Sequence, residues 1–270
     1  MTDSSSSLGQ REAPEFDSSV PQTARIWNYW LGGKDYFPVD RAVGDQILEA
    51  FPAIVENARA SRAFLVRAVR YLAGEAGIRQ FLDIGTGLPT ANNTHEVAQA
   101  VAPECRIVYV DNDPLVLVHA RALLTSSREG KTAYIDADLR DPDRILEEAA
   151  RTLDFTQPIA VMLMGILGHI EDDDEARSLV KRLMSALPSG SHLTMNDSTD
   201  TSAEVVEAAR IWNQSANPTY HLRSIERIAR FFDGLELVEP GVVSTLEWHP
   251  EPGSEPPAEI HSLCGIGRKP

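Results

Sequence analysis

Three aspartates close three successive short apolar runs: Asp83 in QFLDIGTG, Asp111 in RIVYVDNDP and Asp138 in TAYIDADLRDP. The first is followed by Gly85, Thr86 and Gly87, then by Leu88, Pro89 and Thr90. Two glycines directly after an apolar run permit a tight turn and let the backbone approach a ligand closely. An ionised carboxylate only accepts hydrogen bonds. One at the end of a strand can take both hydroxyls of a ribose, and a second can take the exocyclic amine of a base such as adenine. A single aspartate at such a place is read first as a cap on the following helix. Three in succession, starting at a glycine turn, point instead to one nucleoside site. A pyrophosphate-bearing dinucleotide calls for G-x-G-x-x-G at a helix N-terminus, and the third glycine is missing here. An acid-rich pocket suits a phosphate-free adenosine that carries a sulfonium cation, which describes S-adenosylmethionine.

Methyl transfer from a sulfonium needs alignment and exclusion of water more than covalent help. A base is required only if the nucleophile starts protonated. His169, at the end of VMLMGILGHI, has the ordinary pKa for that task; the alternative is a histidine that hydrogen-bonds a backbone carbonyl. Asn196 and Asp197 end a further apolar run, and Tyr220 and His221 lie in NPTYHLRS, where they could roof an acceptor site. The segment RIWNYWLGGKDYFPVDR crowds tryptophans and tyrosines around two adjacent glycines. As a lid it would bend at the glycines and exclude water with its rings, and Tyr29 or Tyr36 could face a sulfonium. Tyr29, Gly33, Lys34 and Tyr36 are its candidate contacts with cofactor or substrate. The alternative is a helix pair anchored on the sheet by its tryptophans. Arg59 and Arg62, one helical turn apart, form either a clamp for the cofactor carboxylate or a solvated salt-bridging face. The run EDDDE at 171–175 reads as a helix start, with a metal site as the lesser alternative, Trp248 and His249 read as edge packing, and no Cys/His cluster supports zinc.

The elements that must position these residues follow from the patterning. Residues 23–73 have helical periodicity, interrupted by Pro38 and Pro52. After Gly77, apolar runs at QFLDI, RIVYVD, TAYIDAD, IAVMLMGIL and SHLTMND alternate with amphipathic helices near 91–102, 114–126, 142–153, 173–187 and 202–216. Five such units imply an α/β fold, with a mostly parallel sheet covered on both faces. A helix near 224–232 precedes two strand-like stretches, LELVEPGVVS and EIHSLCGIGRK, expected as an antiparallel pair at the sheet edge. The Pro-rich acidic segment EWHPEPGSEPPAE separates them as a loop. Residues 1–20 are polar and Ser-rich, expected as a disordered tail; 21–77 are expected as an N-terminal helical lid, and 78–270 as the cofactor-binding domain.

The motif order FLDIGTG, VYVDNDP, DADLRDP, VMLMGILGHI resembles that of class I S-adenosylmethionine-dependent methyltransferases over roughly 78–268. With ARIWNYWLGGKDYFPVDR and NARASRAFLVRAVRYL added, the chain after Val20 resembles an actinobacterial family of S-adenosyl methyltransferases of undefined substrate. The resemblance implies a Rossmann-like fold with S-adenosylmethionine as cofactor. It also implies roles by position: Asp83, Gly85, Thr86 and Gly87 in the cofactor turn, Asp111 and Asn112 at the ribose and adenine edge, Asp138 and Leu139 beside adenine, and Met164 and Gly165 near the methionine moiety. Pro89 stands where a third glycine often sits, which leaves the path of the loop open.

With 25 basic and 40 acidic residues, the formal net charge is −15. That field repels polyanions, so no nucleic-acid partner is expected and the acceptor is read as a small molecule with an O or N nucleophile. No apolar run reaches the roughly 20 residues of a membrane span, and no signal pattern opens the chain. Cys105 and Cys264 read as reduced core thiols of a cytoplasmic protein. Two other functions share these features: a binding protein of the same fold that transfers nothing, and an NAD-dependent oxidoreductase. The sequence assigns no oligomeric state.

Overall fold

The structure, a computed structural model, describes residues 17–123, 126–250 and 260–270. Most of the expected tail and part of the acidic Pro-rich loop therefore lie outside the described residues. Three helices come first: α1 (Thr23–Trp30), α2 (Pro38–Ala50) and α3 (Ile54–Gly74). Pro38 opens α2, where its missing N–H has no intrahelical partner to lose. The alternation then begins with β1 (Gln80–Ile84), α4 (Thr94–Val101), β2 (Arg106–Asp111), α5 (Pro114–Leu123), β3 (Lys131–Asp136), α6 (Pro142–Ala149) and β4 (Ala160–Met164). A 3-10 turn (Leu167–His169) leads to α7 (Asp173–Ser185), β5 (His192–Ser198), α8 (Ala203–Ser215) and α9 (Ile225–Ala229), which continues as a 3-10 turn through Phe232. Three further strands are β6 (Glu236–Leu237), β7 (Val243–Ser244) and β8 (Ser262–Arg268).

Strands β1 to β5 run parallel in the order β3-β2-β1-β4-β5. β8 lies antiparallel to β5 along its whole length, and β6 and β7 pair with the far side of β8. The antiparallel end of the sheet is thus where the sequence puts it. LELVEPGVVS, however, supplies two short pieces instead of one strand. Pro240 has no N–H for a ladder, and the Gly241 N–H turns back to the Val238 carbonyl at 2.9 Å.

Side chains alternate across each strand, and this sorts the core into two layers. Leu82, Ile84, Val108, Val110, Val161 and Leu163 pack toward Ile145, Leu146 and Leu183 of α6 and α7. Phe81, Ile107, Tyr109 and Met162 pack on the other face against Phe64, Ala68, Leu72 and Ala98 of α3 and α4. Helix α3 therefore covers the sheet, and the expected division at residue 77 matches no break in packing. A third cluster joins Ile26, Trp30, Val43, Ile47 and Phe51 of the N-terminal segment to Val205, Ala208 and Trp212 of α8. The buried Arg25–Asp40 pair, 3.0 Å apart, locks α1 to the start of α2. Asp40 also accepts the N–H groups of Gln22 and Phe37 at 2.9 and 2.8 Å, so the pair is well satisfied, as a buried ion pair must be. Among the described residues, no helix is long and apolar enough to cross a membrane.

Candidate active site

The strand order reverses between β1 and β4, and in open α/β sheets ligands bind in the crevice beyond the carboxyl ends at such a point. A cavity of about 540 Å³ opens there, within the size range of small-molecule sites. Asp83, Asp111 and Asp138 all line it, with Gly85, Thr86, Gly87, Asn112, Leu139, Met164, Gly165, Arg62 and His169.

The glycine turn is built for two purposes. Gly85 has φ +74 and Gly87 φ +64, both in the left-handed region that favours glycine. A Cβ on Gly85 would lie 2.7 Å from the Ile166 side chain, so this glycine is also required for packing. A Cβ on Gly87 would meet nothing within 4 Å, so its backbone edges open space in the cavity. The turn is held from β2: Asp111 Oδ2 accepts the Gly87 N–H at 3.0 Å, and its Oδ1 accepts the Asp113 N–H at 2.9 Å. Burial pushes the Asp111 carboxyl up to about 6, against those backbone bonds.

Asp83 is only 4% exposed, and its Oδ2 accepts the Thr94 hydroxyl at 2.5 Å. Burial raises it to about 6 as well, opposed by that bond and by the Arg62 charge. Arg62 Nη2 donates to the carbonyls of Ala91 and Asn92 at 3.3 and 3.1 Å, and to Asn93 Oδ1 at 3.1 Å. Its Nε is buried and finds no partner among the described residues. A buried unsatisfied donor costs free energy, and a ligand carboxylate would satisfy this one. Asp138 sits two residues beyond β3. Its Oδ2 accepts from Asn112 Nδ2 at 3.0 Å and its Oδ1 from the Arg140 N–H at 2.8 Å, so the loops after β2 and β3 form one rim.

His169 Nδ1 lies 2.7 Å from the Thr219 carbonyl oxygen. A carbonyl only accepts, so Nδ1 carries the proton and Nε2 is left with a lone pair. Burial holds the ring below its ordinary pKa, partly offset by the Thr219 bond, and so keeps it neutral. The histidine thus makes the carbonyl contact of the alternative reading and keeps a free basic nitrogen as well. Its ring contacts Tyr220 edge-on at 5.1 Å. Gly168 permits this, because a Cβ there would lie 2.4 Å from the Tyr220 ring. Asp197 and Asn196 are turned inward: Asp197 accepts the Tyr220 hydroxyl, and Asn196 Nδ2 donates to Ser61 Oγ at 2.9 Å. In the EDDDE run, Asp172 caps α7 through the Glu175 N–H at 2.7 Å, and Asp173 pairs with Arg223 at 2.8 Å.

Arg59, Asn196, Asp197, Tyr220 and His221 do not line the cavity, and neither do the four candidates of the aromatic segment. Tyr29 donates its hydroxyl to Asp45 and packs edge-on against Tyr36 at 5.0 Å, on the side of α1 that meets α2. Lys34 is exposed. Gly33 makes room for Asn28, whose amide oxygen would lie 2.1 Å from a Cβ there and accepts the Asp35 N–H at 3.0 Å. The same helix instead sends Arg25, Trp27 and Asn28 to the cavity wall, with Leu31 just after its end, and Ser61, Ile166 and Pro218 complete it. Trp27 and Asn28 lie within the aromatic segment already singled out; only the phase of α1 separates them from Tyr29.

A family model described as S-adenosyl methyltransferase matches residues 9–270. A DUF574 family protein from Streptomyces avermitilis is 46% identical, covering 94% of this chain and 99% of its own, with a TM-score of 0.91. A candidate methyltransferase from Thermobifida fusca is 44% identical, covering 93% and 96%, with a TM-score of 0.87. Magnesium protoporphyrin IX methyltransferase from Synechocystis, solved with bound S-adenosylhomocysteine, is 11% identical over 91% and 93% with a TM-score of 0.52, a likeness of fold alone. No curated protein matches the sequence significantly.

Proposed function

Because this chain belongs to the S-adenosyl methyltransferase family, we propose that it takes its methyl group from S-adenosylmethionine and passes it to an O or N nucleophile of a small molecule. The observation that carries this reading is the acid rim, with Asp83, Asp111 and Asp138 lining one cavity beside an open glycine turn and the unpartnered Nε of Arg62. Asp83 and Asp111 are held near 6 by burial. A ligand that brings hydroxyl donors and positive charge favours their ionised form, whereas a pyrophosphate would oppose it. This supports S-adenosylmethionine over a nicotinamide dinucleotide.

Bound there, S-adenosylmethionine supplies an electrophilic methyl group on a sulfonium. Asp111 and Asn112 receive the ribose and the adenine edge, with Leu139 and Asp138 bordering the base. Arg62 Nε takes the carboxylate, a charge-assisted bond to a donor otherwise left buried. Met164 and Gly165 form the floor beneath the methionine chain. Trp27 and Leu31 close the wall and exclude water. His169 Nε2 accepts the proton that an O–H or N–H nucleophile loses as it attacks.

The net charge of −15 favours a small acceptor over a polyanion. Free buried thiols at Cys105 and Cys264 accord with the reducing cytoplasm, and the Streptomyces and Thermobifida relatives accord with an actinobacterial source. Calorimetric titration with S-adenosylmethionine, S-adenosylhomocysteine and NAD tests the cofactor; NAD binding without binding of either adenosyl compound would overturn the proposal. Methyl-labelled cofactor with a panel of phenols, alcohols and amines tests transfer. Cofactor binding without transfer to any of them would leave a binding protein of the same fold.

A further inference from the structure

Beside the large cavity lies a second recess of about 50 Å³, bounded by α1, α2, α3, α8, the end of β5, the segment after α8 and the residue before β8. Its wall is aromatic, formed by Trp27, Trp30, Phe51, Trp212, Tyr220 and His261. Trp27 lines both spaces. His169 lines the large cavity, and its ring meets the Tyr220 and Trp212 rings at 5.1 and 6.3 Å. The two spaces thus share one aromatic partition, with the basic histidine set in it.

Of the polar side chains in this lining, which include Ser198, Tyr220 and His261, one has an unpartnered buried oxygen. Asn57 of α3 is 97% buried (3% exposed), and its Oδ1 accepts no hydrogen bond among the described residues. Buried polar groups are nearly always paired, and a free amide oxygen in an aromatic recess is an acceptor waiting for a donor. We propose that this recess is the acceptor subsite, and that the acceptor is a single-ring aromatic bearing, besides the nucleophile that is methylated, a hydroxyl or amino group that enters the recess with the ring edge and donates to Asn57 Oδ1. The volume decides the size: a single water occupies roughly 10–15 Å³ on this measure, so the recess admits a few heavy atoms and the rest of the acceptor lies at the His169 face of the large cavity. Aromatic walls favour a planar ring through offset and edge contacts. This inference deepens the reading of the large cavity as the methyl-donor site and rests on it.

The test uses phenol and toluene, which match in shape and differ in the donor. Binding to the whole protein is followed by tryptophan fluorescence, with and without S-adenosylhomocysteine. Phenol is expected to bind about tenfold more tightly than toluene, the size of one hydrogen bond to an otherwise unsatisfied buried group. Asn57→Leu should reduce that preference to about twofold or less. Ala209→Leu, which fills the recess from the α8 side, should abolish phenol binding while calorimetry shows S-adenosylhomocysteine binding unchanged; Ala209 does not line the large cavity. Equal affinity for phenol and toluene, or a preference that survives both substitutions, would overturn the proposal. If S-adenosylhomocysteine itself fails to bind, the donor-site reading falls, and the phenol–toluene comparison on the free protein still decides the recess.

Discussion

Replacing Asp83 with Asn should make the unliganded protein more stable at neutral pH and not at acid pH. Asp83 is 4% exposed and its carboxyl is raised from the ordinary 3.8 to about 6. For an acid raised in the folded state, stability is fully present below the unfolded value and is lost as pH rises through the folded one. At about 1.4 kcal/mol for each tenfold change in acidity, the charged side chain costs about 3 kcal/mol at pH 7. The same two values give about 1.5 kcal/mol at pH 5 and under about 1 kcal/mol at pH 4. Asn keeps the shape and an oxygen for the Thr94 hydroxyl, which lies 2.5 Å from the carboxylate, but loses the attraction of Arg62. The useful quantity is therefore the change in the variant-minus-wild-type difference with pH, in which every other titrating group cancels. Urea unfolding of both proteins at pH 7, 5 and 4, with equal m-values required, measures it. The advantage of the variant should shrink by about 2–3 kcal/mol between pH 7 and pH 4. A difference that is flat with pH, or that grows on acidification, would refute the claim that burial and not pairing governs this carboxylate.

Four further outcomes are expected. Asp111→Ala should weaken S-adenosylhomocysteine binding by about 1–3 kcal/mol, read by calorimetry, because buried hydroxyls lose a charged acceptor and the Gly87 N–H loses its anchor at 3.0 Å. Affinity for the same ligand should fall as pH drops below about 6, since Asp83 and Asp111 both protonate there; a constant Kd from pH 7.5 to 5 contradicts this. Gly85→Ala should destabilise the fold by about 1–3 kcal/mol in chemical denaturation, from the left-handed φ of +74 and the approach of Ile166 to 2.7 Å. His169→Asn should lower transfer to a protonated acceptor by about 10²–10⁴-fold with cofactor Kd unchanged, and the wild-type rate should rise with pH through a midpoint below 6.5, because burial depresses that ring.

The N-terminal segment shows where one-dimensional reading ran out. Its aromatic and glycine content marked it as a cover for the site, and the segment lines the cavity wall through Trp27, Asn28 and Leu31. Tyr29, Gly33, Lys34 and Tyr36 nevertheless lie away from the cavity, while Trp27 and Asn28 face it. Trp27 and Tyr29, two apart on α1, point in directions about 200° apart, so the wrong phase exchanges one face for the other; Gly33, Lys34 and Tyr36 lie beyond the end of α1, in the connection that Asn28 holds through the Asp35 N–H. In α1 the phase is set by the Arg25–Asp40 pair and by the packing of Trp30 on Trp212, 6.1 Å between ring centroids. Those partners are distant in sequence, and no local pattern announces them.

The strand-end acids were legible because a parallel α/β sheet brings its carboxyl ends to one edge whatever the length of the intervening helices. The apolar runs, the glycine turn and the charge of −15 are local or additive properties, so the sequence by itself determined the fold class and which strand-end acids would share one edge of the sheet. The free lone pair of His169, the unpartnered atoms of Arg62 and Asn57, and the aromatic recess depend on which groups meet after folding. Hydrogen-bond satisfaction is a property of pairs in space, and only the tertiary structure decided which polar atoms would be left waiting for a ligand.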